Sequence, residues 1–319
     1  MAITLVDDRA RSILTENVVP DVDYRWTCNP YRGCEHACAA CYARGSHEYL
    51  DLDPADGFDR TIVVKREAPA LLRAAFERPS WRGDTITFSS VTDPYQPIEA
   101  ELRITRQCLE VCLAYRNPVR VVTKAPLAAR DLDLFTALAA EARFQIDVSV
   151  AFVDEAMCAA LEPGAPPPAA RFALVEELAR AGLAVGVMAA PIIAGLTDAQ
   201  LVRVLERGAA AGATSACWAL LRLPEPTATV FAGRLRQALP RVADRTLDRA
   251  RLTRGRDDRP DKPFHTRGEG GGAYVAAIEA MFGATTARLG LAPRRFAKTA
   301  EPPTTFCRPT PPPAQLALF

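Results

Sequence analysis

VRVVTKAPLAARDLDLFTALAAEARFQIDVSVAF, residues 119–152, contains the repeating pattern on which the predicted fold rests. A short β-branched run, VRVVTK, precedes the helical pattern DLDLFTALAAEA, and a second apolar run, FQIDVSVAF, follows. Near-continuous apolar strands that are joined by an amphipathic helix are typical of a parallel sheet covered by helices. The stretch therefore predicts a strand–helix–strand unit.

The same alternation extends in both directions along the chain. Further apolar runs that precede helical patterns lie at residues 61–65, 84–91, 184–193 and 215–223. With a strand near YRWTCNPYRG, about six such units follow one another, which is enough for an open barrel. We therefore predict an α/β fold in which residues 25–240 form a partial (β/α)6 TIM-like barrel.

Three segments flank the predicted barrel. Residues 1–24 are predicted to be an N-terminal extension, and residues 241–296 a C-terminal extension that includes the helical pattern AYVAAIEAMFGATTARLGL. Residues 297–319 are rich in proline, which is poorly compatible with a helix or a central strand. This last segment is therefore predicted to be an extended, mobile tail.

Composition indicates a globular protein in a reducing compartment. The chain has 319 residues, a formal net charge of +1 and nine cysteines, an odd number for a secreted disulfide framework. Apolar runs stay shorter than the roughly 18 residues that a membrane span needs, and the start lacks the pattern of a secretory signal. We expect a cytoplasmic protein without membrane attachment. The net charge makes no global case for nucleic-acid binding.

Three cysteines crowd into GCEHACAACYAR, residues 33–44. Cys34, Cys38 and Cys41 are spaced C-x3-C-x2-C and follow the first predicted strand, so they belong at the carboxyl ends of the strands, where such barrels carry their chemistry. Three thiolates are one ligand short of a closed tetrahedral zinc site or a fully ligated four-iron cluster. They would leave one iron of a [4Fe-4S] cluster open to an external chelate such as S-adenosylmethionine.

Other uses of the cysteines and histidines stay open at this point. His36 lies between the cysteines and allows a Cys3His zinc site. Cys108 and Cys112 lie four residues apart on a predicted helix and suggest either a second cluster or core packing, the latter being favoured. The remaining cysteines and histidines lack partners at ligand spacing and are interpreted as structural or surface residues: Cys28, Cys158, Cys217, Cys307, His47 and His265.

The cysteine motif, followed by the aromatic Tyr42, resembles the radical S-adenosylmethionine superfamily. Within it, the segments NPYRGCEHACAACYAR, FSSVTDPYQPIE, VVTK, DVSV, AAPIIAGLTD and LLRLP resemble, in the same order, the group of spore photoproduct lyase and its bacterial relatives. The resemblance covers roughly residues 25–290. It implies a partial barrel of the radical S-adenosylmethionine type, a [4Fe-4S] cluster and S-adenosylmethionine as cofactors, and an enzyme related to a DNA-repair lyase.

The resemblance also implies individual site residues. Cys34, Cys38 and Cys41 would hold the cluster, and Lys124 would pair with the methionyl carboxylate of S-adenosylmethionine. The other implied contacts to this cofactor come from Tyr42, Ser90, Thr92, Asp93, Ser149 and the backbone at Ala190. Packing within strands is the alternative for Ser149 and Ala190.

Two positions depart from the lyase pattern. The lyase has a hydrogen-donor cysteine near the SVTD segment and a tyrosine just before the last cluster cysteine, whereas this chain has Ser90 or Val91 and Ala40. A serine O–H bond is too strong to replace a thiol as hydrogen donor to a carbon radical. The resemblance therefore implies an intact radical generator and changed downstream chemistry, in which Ser90 and Tyr95 are the candidate catalytic residues. Packing is the alternative for Tyr95.

The last five residues, QLALF, resemble the peptide by which bacterial proteins bind the sliding clamp. Gln315, Leu316, Leu318 and Phe319 would insert into pockets of the clamp, and the proline-rich tail would serve as a tether. Clamp binding would make DNA the expected substrate, with phosphate contacts from the basic stretch 241–262. The alternative for the basic stretch is an ordinary solvated surface, and the alternative for the tail is that it folds back on the domain. A flavodoxin- or ferredoxin-type protein is the expected electron donor.

Two rival functions remain at this point. The first is a radical enzyme of the same type that acts on a small molecule or a protein. The second is a non-catalytic DNA- or clamp-associated protein in which the cluster has only a structural role.

Overall fold

The computed structural model describes residues 3–17, 24–254, 272–294 and 302–309. The strands in these ranges are β1 (Thr4–Asp7), β2 (Leu14–Glu16), β3 (Trp26–Cys28), β4 (Tyr31–Arg32), β5 (Thr61–Val64), β6 (Ile86–Phe88), β7 (Val119–Thr123), β8 (Phe144–Ser149), β9 (Val185–Ile192), β10 (Ser215–Leu220) and β11 (Ala292–Pro293). The α-helices are α1 (Asp56–Arg60), α2 (Ala68–Glu77), α3 (Glu99–Leu102), α4 (Ile104–Ala114), α5 (Leu132–Glu141), α6 (Glu155–Leu161), α7 (Pro168–Arg180), α8 (Leu201–Ala210), α9 (Thr227–Ala238), α10 (Ala243–Arg254) and α11 (Ala273–Leu289).

The main sheet has the strand order β11-β10-β9-β8-β7-β6-β3-β2. Neighbouring strands from β3 to β11 are parallel, and β2 pairs antiparallel with β3 at one edge. The sheet begins and ends on different strands, so the barrel is open. The predicted partial barrel is thus confirmed, with six parallel strands, β3 and β6–β10, at its centre.

Burial explains why these segments form strands and helices. In β7 the residues Val119, Val121 and Thr123 are buried, and Val121 is paired with Phe88 on one side and Ile146 on the other. Helices α2, α4, α5, α7, α8 and α11 contribute apolar side chains to one continuous core with the sheet. Burial of this kind suits near-continuous apolar strands.

One predicted strand lies in a different sheet. The TIVV run forms β5, but β5 pairs with β1 and β4 in a separate three-stranded sheet. It therefore does not contribute to the barrel, because β3 is followed in the main sheet by β6. The apolar run predicts a strand correctly, whereas its partner depends on residues of the N-terminal segment distant in sequence.

A buried ion group crosses the amino-terminal half of the main sheet. The Asp147 carboxylate on β8 accepts a hydrogen bond from Arg120 Nε at 2.7 Å and pairs with Arg294, which follows β11. Asp147 is fully buried. A Cβ atom at Gly186 of β9 would lie 2.0 Å from Asp147 Oδ1, so only glycine leaves room for this carboxylate.

Residues 302–309, here the C-terminal strap, run along the amino-terminal side of the sheet. Thr304 Oγ1 donates to the Gly83 carbonyl at 2.6 Å, and Cys307 N–H donates to the Tyr115 carbonyl at 2.9 Å. The Phe306 ring packs 6.2 Å from the Tyr115 ring and 5.8 Å from the Phe76 ring. These contacts attach the strap to the domain, whereas the sequence predicts a mobile tail from residue 297.

Helices in the described ranges are all too short or too polar to cross a bilayer. The clamp-like peptide 315–319, His265 and residues 255–262 of the basic stretch 241–262 lie outside the described residues.

Candidate functional site

The cysteine loop, residues 33–41, lies beside the carboxyl end of β6. Gly33 starts it with φ +84°, and a Cβ there would lie 2.7 Å from the Thr61 carbonyl oxygen. The Gly33 carbonyl accepts hydrogen bonds from Thr92 Oγ1 at 2.7 Å and from Gln96 Nε2 at 3.1 Å. The loop is thus attached to the segment that follows β6, as the sequence predicts for strand ends.

Two arginine side chains donate hydrogen bonds to backbone carbonyls of this loop. Arg44, fully buried, donates to the Cys38 carbonyl at 2.8 Å and to Asp59 Oδ1 at 2.8 Å. Arg234 of α9 donates to the Ala37 carbonyl at 2.8 Å and also pairs with Asp59. Asp59 pairs with both arginines and Asp56 also pairs with Arg234, so the carbonyls of the loop are held in place without using the cysteine side chains.

The three thiols of the loop interact with one another. Burial raises the pKa of Cys34, and the nearby charges of Asp93, Cys38 and Cys41 raise it further. Burial also raises the pKa of Cys38 to about 12 and, less strongly, that of Cys41, where Arg44 partly offsets it. Three clustered thiols with raised pKa values need a nearby cationic centre to ionise together, which is what a bound metal cluster supplies.

The donor set fits a multinuclear cluster better than a single ion. Within the described ranges, no group of three or more His, Cys, Asp or Glu side chains is arranged to hold one metal ion. In a four-iron cluster each cysteine binds a different iron, so the three sulfurs need not meet at one point. The His36 ring, which the alternative Cys3His zinc site would use, instead has Nε2 3.4 Å from Asp93 Oδ2 and Nδ1 3.3 Å from the Gly164 carbonyl.

Lys124 follows β7 and points to the cysteine loop. Its Nζ lies 3.1 Å from Cys38 Sγ and 2.6 Å from Glu162 Oε1. Burial alone would lower the pKa of Lys124, but Cys38 and Glu162 more than offset this and raise it. An ammonium group has three donors, and two are used here.

Thr92 and Asp93 make their contacts within the protein. Asp93 accepts hydrogen bonds from Thr123 Oγ1 at 2.6 Å and from the Lys124 backbone N–H at 2.9 Å. Burial would raise the pKa of Asp93, but its hydrogen bonds, first of all to His36, lower it. Both side chains join the loop to the ends of β6 and β7, and their contacts with S-adenosylmethionine stay predictions.

Ser90 lies at the end of β6 in a strained backbone. Ser89 and Ser90 have φ values of 150° and 127°, a region that favours glycine. Asn29 Nδ2 donates to Ser90 Oγ at 3.1 Å, and the Val91 N–H donates to Asn29 Oδ1 at 3.3 Å. Such backbone strain costs about 1–3 kcal/mol per residue and is typical of functional sites.

The remaining predicted residues differ in exposure. Ser149 ends β8 and Ala190 lies near the end of β9, and both are half-buried. Tyr42, directly after Cys41, is 49% exposed. Tyr95 is fully buried: its hydroxyl donates to Asp131 Oδ2 at 3.0 Å and its ring packs on Phe135.

A second group of thiols lies in the core. Cys28 at the end of β3 contacts Cys108 of α4, and Cys112 of the same helix is close to both. All three are fully buried, and burial raises the pKa of Cys108 and Cys112 well above its usual range. This burial agrees with the core-packing interpretation, while the contact with Cys28 is beyond what sequence spacing indicates.

Sequence reasoning misses the charged residues behind the site. Glu162 ends α6 and Arg171 lies on α7, and neither has a spacing that relates it to Lys124. Arg44 lies beside the cysteine motif, but it resembles any surface arginine until its burial is known. The only signal is a charged residue within an otherwise apolar segment, which is weak.

Solved structures share the fold of this chain. Spore photoproduct lyase in complex with dinucleoside spore photoproduct matches with a TM-score of 0.64 at 17% identity, covering 91% of this chain and 81% of that one. A double mutant of that lyase with bound AdoMet and the same dinucleoside matches with a TM-score of 0.65 at 16% identity, covering 92% and 82%. The predicted resemblance to the spore photoproduct lyase group is confirmed at the level of the fold.

Proteins of similar sequence show the family to which this chain belongs. An uncharacterised protein of Mycobacterium tuberculosis is 38% identical over 234 residues, which are 72% of this chain and 69% of that protein. An uncharacterised protein of Methanocaldococcus jannaschii is 26% identical over 200 residues, 63% of this chain and 72% of that protein. No family model matches this sequence. The chain belongs to the family of the mycobacterial protein.

Proposed function

We propose that this chain is a radical S-adenosylmethionine enzyme that acts on DNA. The observation that carries the proposal is the set of three interacting thiols on one loop at the carboxyl ends of a spore photoproduct lyase-like sheet. Cys34, Cys38 and Cys41 would hold a [4Fe-4S] cluster and leave one iron to S-adenosylmethionine. When bound, the reduced cluster supplies the electron that cleaves a C–S bond of this cofactor and yields a 5′-deoxyadenosyl radical.

The residues of the chain would bind and orient the cofactor. Lys124 has a third ammonium donor beyond its bonds to Cys38 and Glu162, and this donor suits the methionyl carboxylate. The other contacts that we propose are Tyr42, Ser90, Thr92, Asp93, Ser149 and the Ala190 backbone. Thr92 and Asp93 would act mainly by holding the cysteine loop, because their side chains are already hydrogen-bonded there.

The chemistry after radical formation is proposed to differ from that of the lyase. Ser90 or Val91 occupies the position of the hydrogen-donor cysteine, and Ala40 that of the tyrosine. Ser90 stays the better candidate for a substrate contact, because Tyr95 is fully buried against Asp131 and Phe135. We expect a base lesion or base modification other than the dinucleoside of the lyase complexes.

Nucleic acid as substrate is supported by the named ligand of the similar lyase structures and by one basic surface. Arg245 and Arg249 lie one turn apart on α10 and are both exposed. The acidic neighbours Asp244 and Asp248 pair with Arg236 and Arg251 instead. Each phosphate contact would steepen the salt dependence of DNA binding.

The central experiment uses full-length protein reconstituted anaerobically with iron and sulfide. The protein receives S-adenosylmethionine, a flavodoxin or ferredoxin as electron donor, and either damaged or intact DNA. We expect 5′-deoxyadenosine and altered nucleosides with damaged DNA, and neither product after Cys34→Ala, Cys38→Ala or Cys41→Ala. No 5′-deoxyadenosine under any condition would refute the enzyme, and equal cleavage without DNA binding would indicate a small-molecule or protein substrate.

Recruitment by the sliding clamp is a separate proposal with its own test. Gln315, Leu316, Leu318 and Phe319 would insert into the clamp, with the residues before them as tether. Full-length protein should bind immobilised clamp, whereas a chain that ends at residue 314 should not. Equal binding by the two chains would exclude this role for the peptide.

A further inference from the structure

A buried ion group backs the cysteine loop from the side of α6 and α7. It consists of Lys124, Glu162 and Arg171, here the Lys124 ion group. Lys124 Nζ lies 2.6 Å from Glu162 Oε1, and the other oxygen of Glu162 pairs with Arg171. Exposed fractions of these side chains are 15% for Lys124, 6% for Glu162 and 1% for Arg171.

Charge in this group is unbalanced in favour of the cations. One carboxylate faces two cations, and each of its oxygens is used by one of them. Lys124 Nζ faces the cysteine loop, 3.1 Å from Cys38 Sγ, whereas Arg171 Nη2 lies 3.3 Å from Cys158 Sγ. Buried charges are stable only when they are paired, so the position of the carboxylate that both cations share sets where the Lys124 ammonium group lies.

The position of Glu162 is fixed from behind. Arg171 donates from Nε to the Pro166 carbonyl at 2.8 Å and from Nη1 to the Ser149 carbonyl at 3.2 Å. It is thereby anchored to the end of β8 and to the segment after α6. Lys124, in contrast, has a flexible four-carbon stem, and its ammonium group is held by Cys38 and by the bond with Glu162 among the residues that the structure describes.

We propose that Glu162 is a positioning residue that fixes the Lys124 ammonium group on Cys38, so that within the described ranges this sulfur is the cluster ligand that receives a lysine donor. The inference rests on the proposed iron–sulfur function and deepens it. Glu162 itself contacts neither the cluster nor a substrate. Its role is to determine which atoms the Lys124 ammonium group contacts.

The small number of lysines makes a direct spectroscopic test possible. The chain has four, Lys65, Lys124, Lys262 and Lys298, so ¹⁵N-lysine labelling introduces few signals. Full-length labelled protein is reconstituted with the cluster, reduced without S-adenosylmethionine, and measured by pulsed electron paramagnetic resonance. We expect one ¹⁵N coupling to the reduced cluster, and its loss in Lys124→Met assigns it.

Two variants at Glu162 distinguish the effect of the position of its carboxylate from the effect of its charge. Glu162→Gln removes the ion pair, and Glu162→Asp keeps the charge but shortens its reach. Both should weaken the ¹⁵N coupling several-fold while the iron content per protein stays unchanged. Glu176→Gln is the matched control, because Glu176 forms an exposed ion pair with Arg180 on α7, and it should leave the coupling as in the parent protein.

The outcomes distinguish this inference from the function on which it rests. A cluster without ¹⁵N coupling in the parent protein, or a coupling in Glu162→Gln and Glu162→Asp as strong as in the parent protein, overturns the positioning role and leaves the enzyme proposal intact. Failure of the parent protein to assemble any cluster overturns both. If Glu162→Gln does not fold, the result for Glu162→Asp decides.

Discussion

The two ends of the main sheet are built on different principles. At the amino-terminal end, the strap covers the loops before β6 and β7, and the Asp147 carboxylate is shared by two arginines. At the carboxyl end, two consecutive serines have positive φ and three thiols have raised pKa values. The amino-terminal end thus has paired charges that stabilise the fold, whereas the carboxyl end has a strained backbone and the three thiols. Other barrels with parallel strands also keep their stabilising contacts and their chemistry at opposite ends.

The carboxyl end should be most sensitive where the cysteine loop touches backbone. Gly33→Ala adds a Cβ 2.7 Å from the Thr61 carbonyl oxygen at φ +84°, so we expect a loss of at least about 4 kcal/mol in the free energy of unfolding and of most cluster binding. Urea unfolding and iron analysis measure both. Gly182→Ala is the control: its φ is +81° with nothing within 4 Å, and strain alone should cost about 1 kcal/mol. Equal effects of the two changes would contradict the close-contact explanation.

The amino-terminal end should respond through stability alone. Asp147→Asn removes the carboxylate that pairs with both Arg120 and Arg294 in a buried site, and we expect a loss of about 3 kcal/mol in the free energy of unfolding. Asp244→Asn breaks an exposed pair with Arg236 and should change it by less than about 0.5 kcal/mol. The iron content of the folded protein should stay constant. Loss of iron from folded Asp147→Asn would show that the two ends are coupled.

The strap should contribute less, because Phe306 is only half-buried. Phe306→Ala removes its packing on Phe76 and Tyr115 and should lower the free energy of unfolding by about 1–2 kcal/mol. Cys307→Ser, with an exposed side chain and the backbone bond retained, should leave it unchanged. Thermal unfolding of both variants compares them. No effect of Phe306→Ala would mean that the strap is not held by this ring.

The smallest expected effect has the opposite sign. Ser89→Gly should relieve the φ of 150° and raise the free energy of unfolding by about 1 kcal/mol, after the entropy that glycine loses on folding. Ser89→Ala keeps the strained backbone and should give no gain. Denaturant titrations of the two variants provide the comparison, and a destabilised Ser89→Gly would argue against strain at this strand end.

Some features of this protein follow from local sequence patterns, whereas others depend on tertiary contacts. Periodicity predicts β7, α5 and β8 because each needs only local apolar spacing, and the motif around Cys34, Cys38 and Cys41 is local as well. The partner of β5 is not predicted, since an apolar run does not state which strand it pairs with. Tyr95 could be assigned either to packing or to radical transfer until its burial was known.

The open α/β barrel and the cysteine loop at its carboxyl end follow from the sequence, because apolar spacing and ligand spacing are contained within short segments. The contact of Lys124 with Glu162, 38 residues away, and that of Arg294 with Asp147, 147 residues away, are visible in the folded chain alone. Charged side chains carry no periodic signal that names a distant partner. Their pairing follows from burial, because a charged group that is removed from water is stable only beside an opposite charge, and that charge can come from any part of the chain.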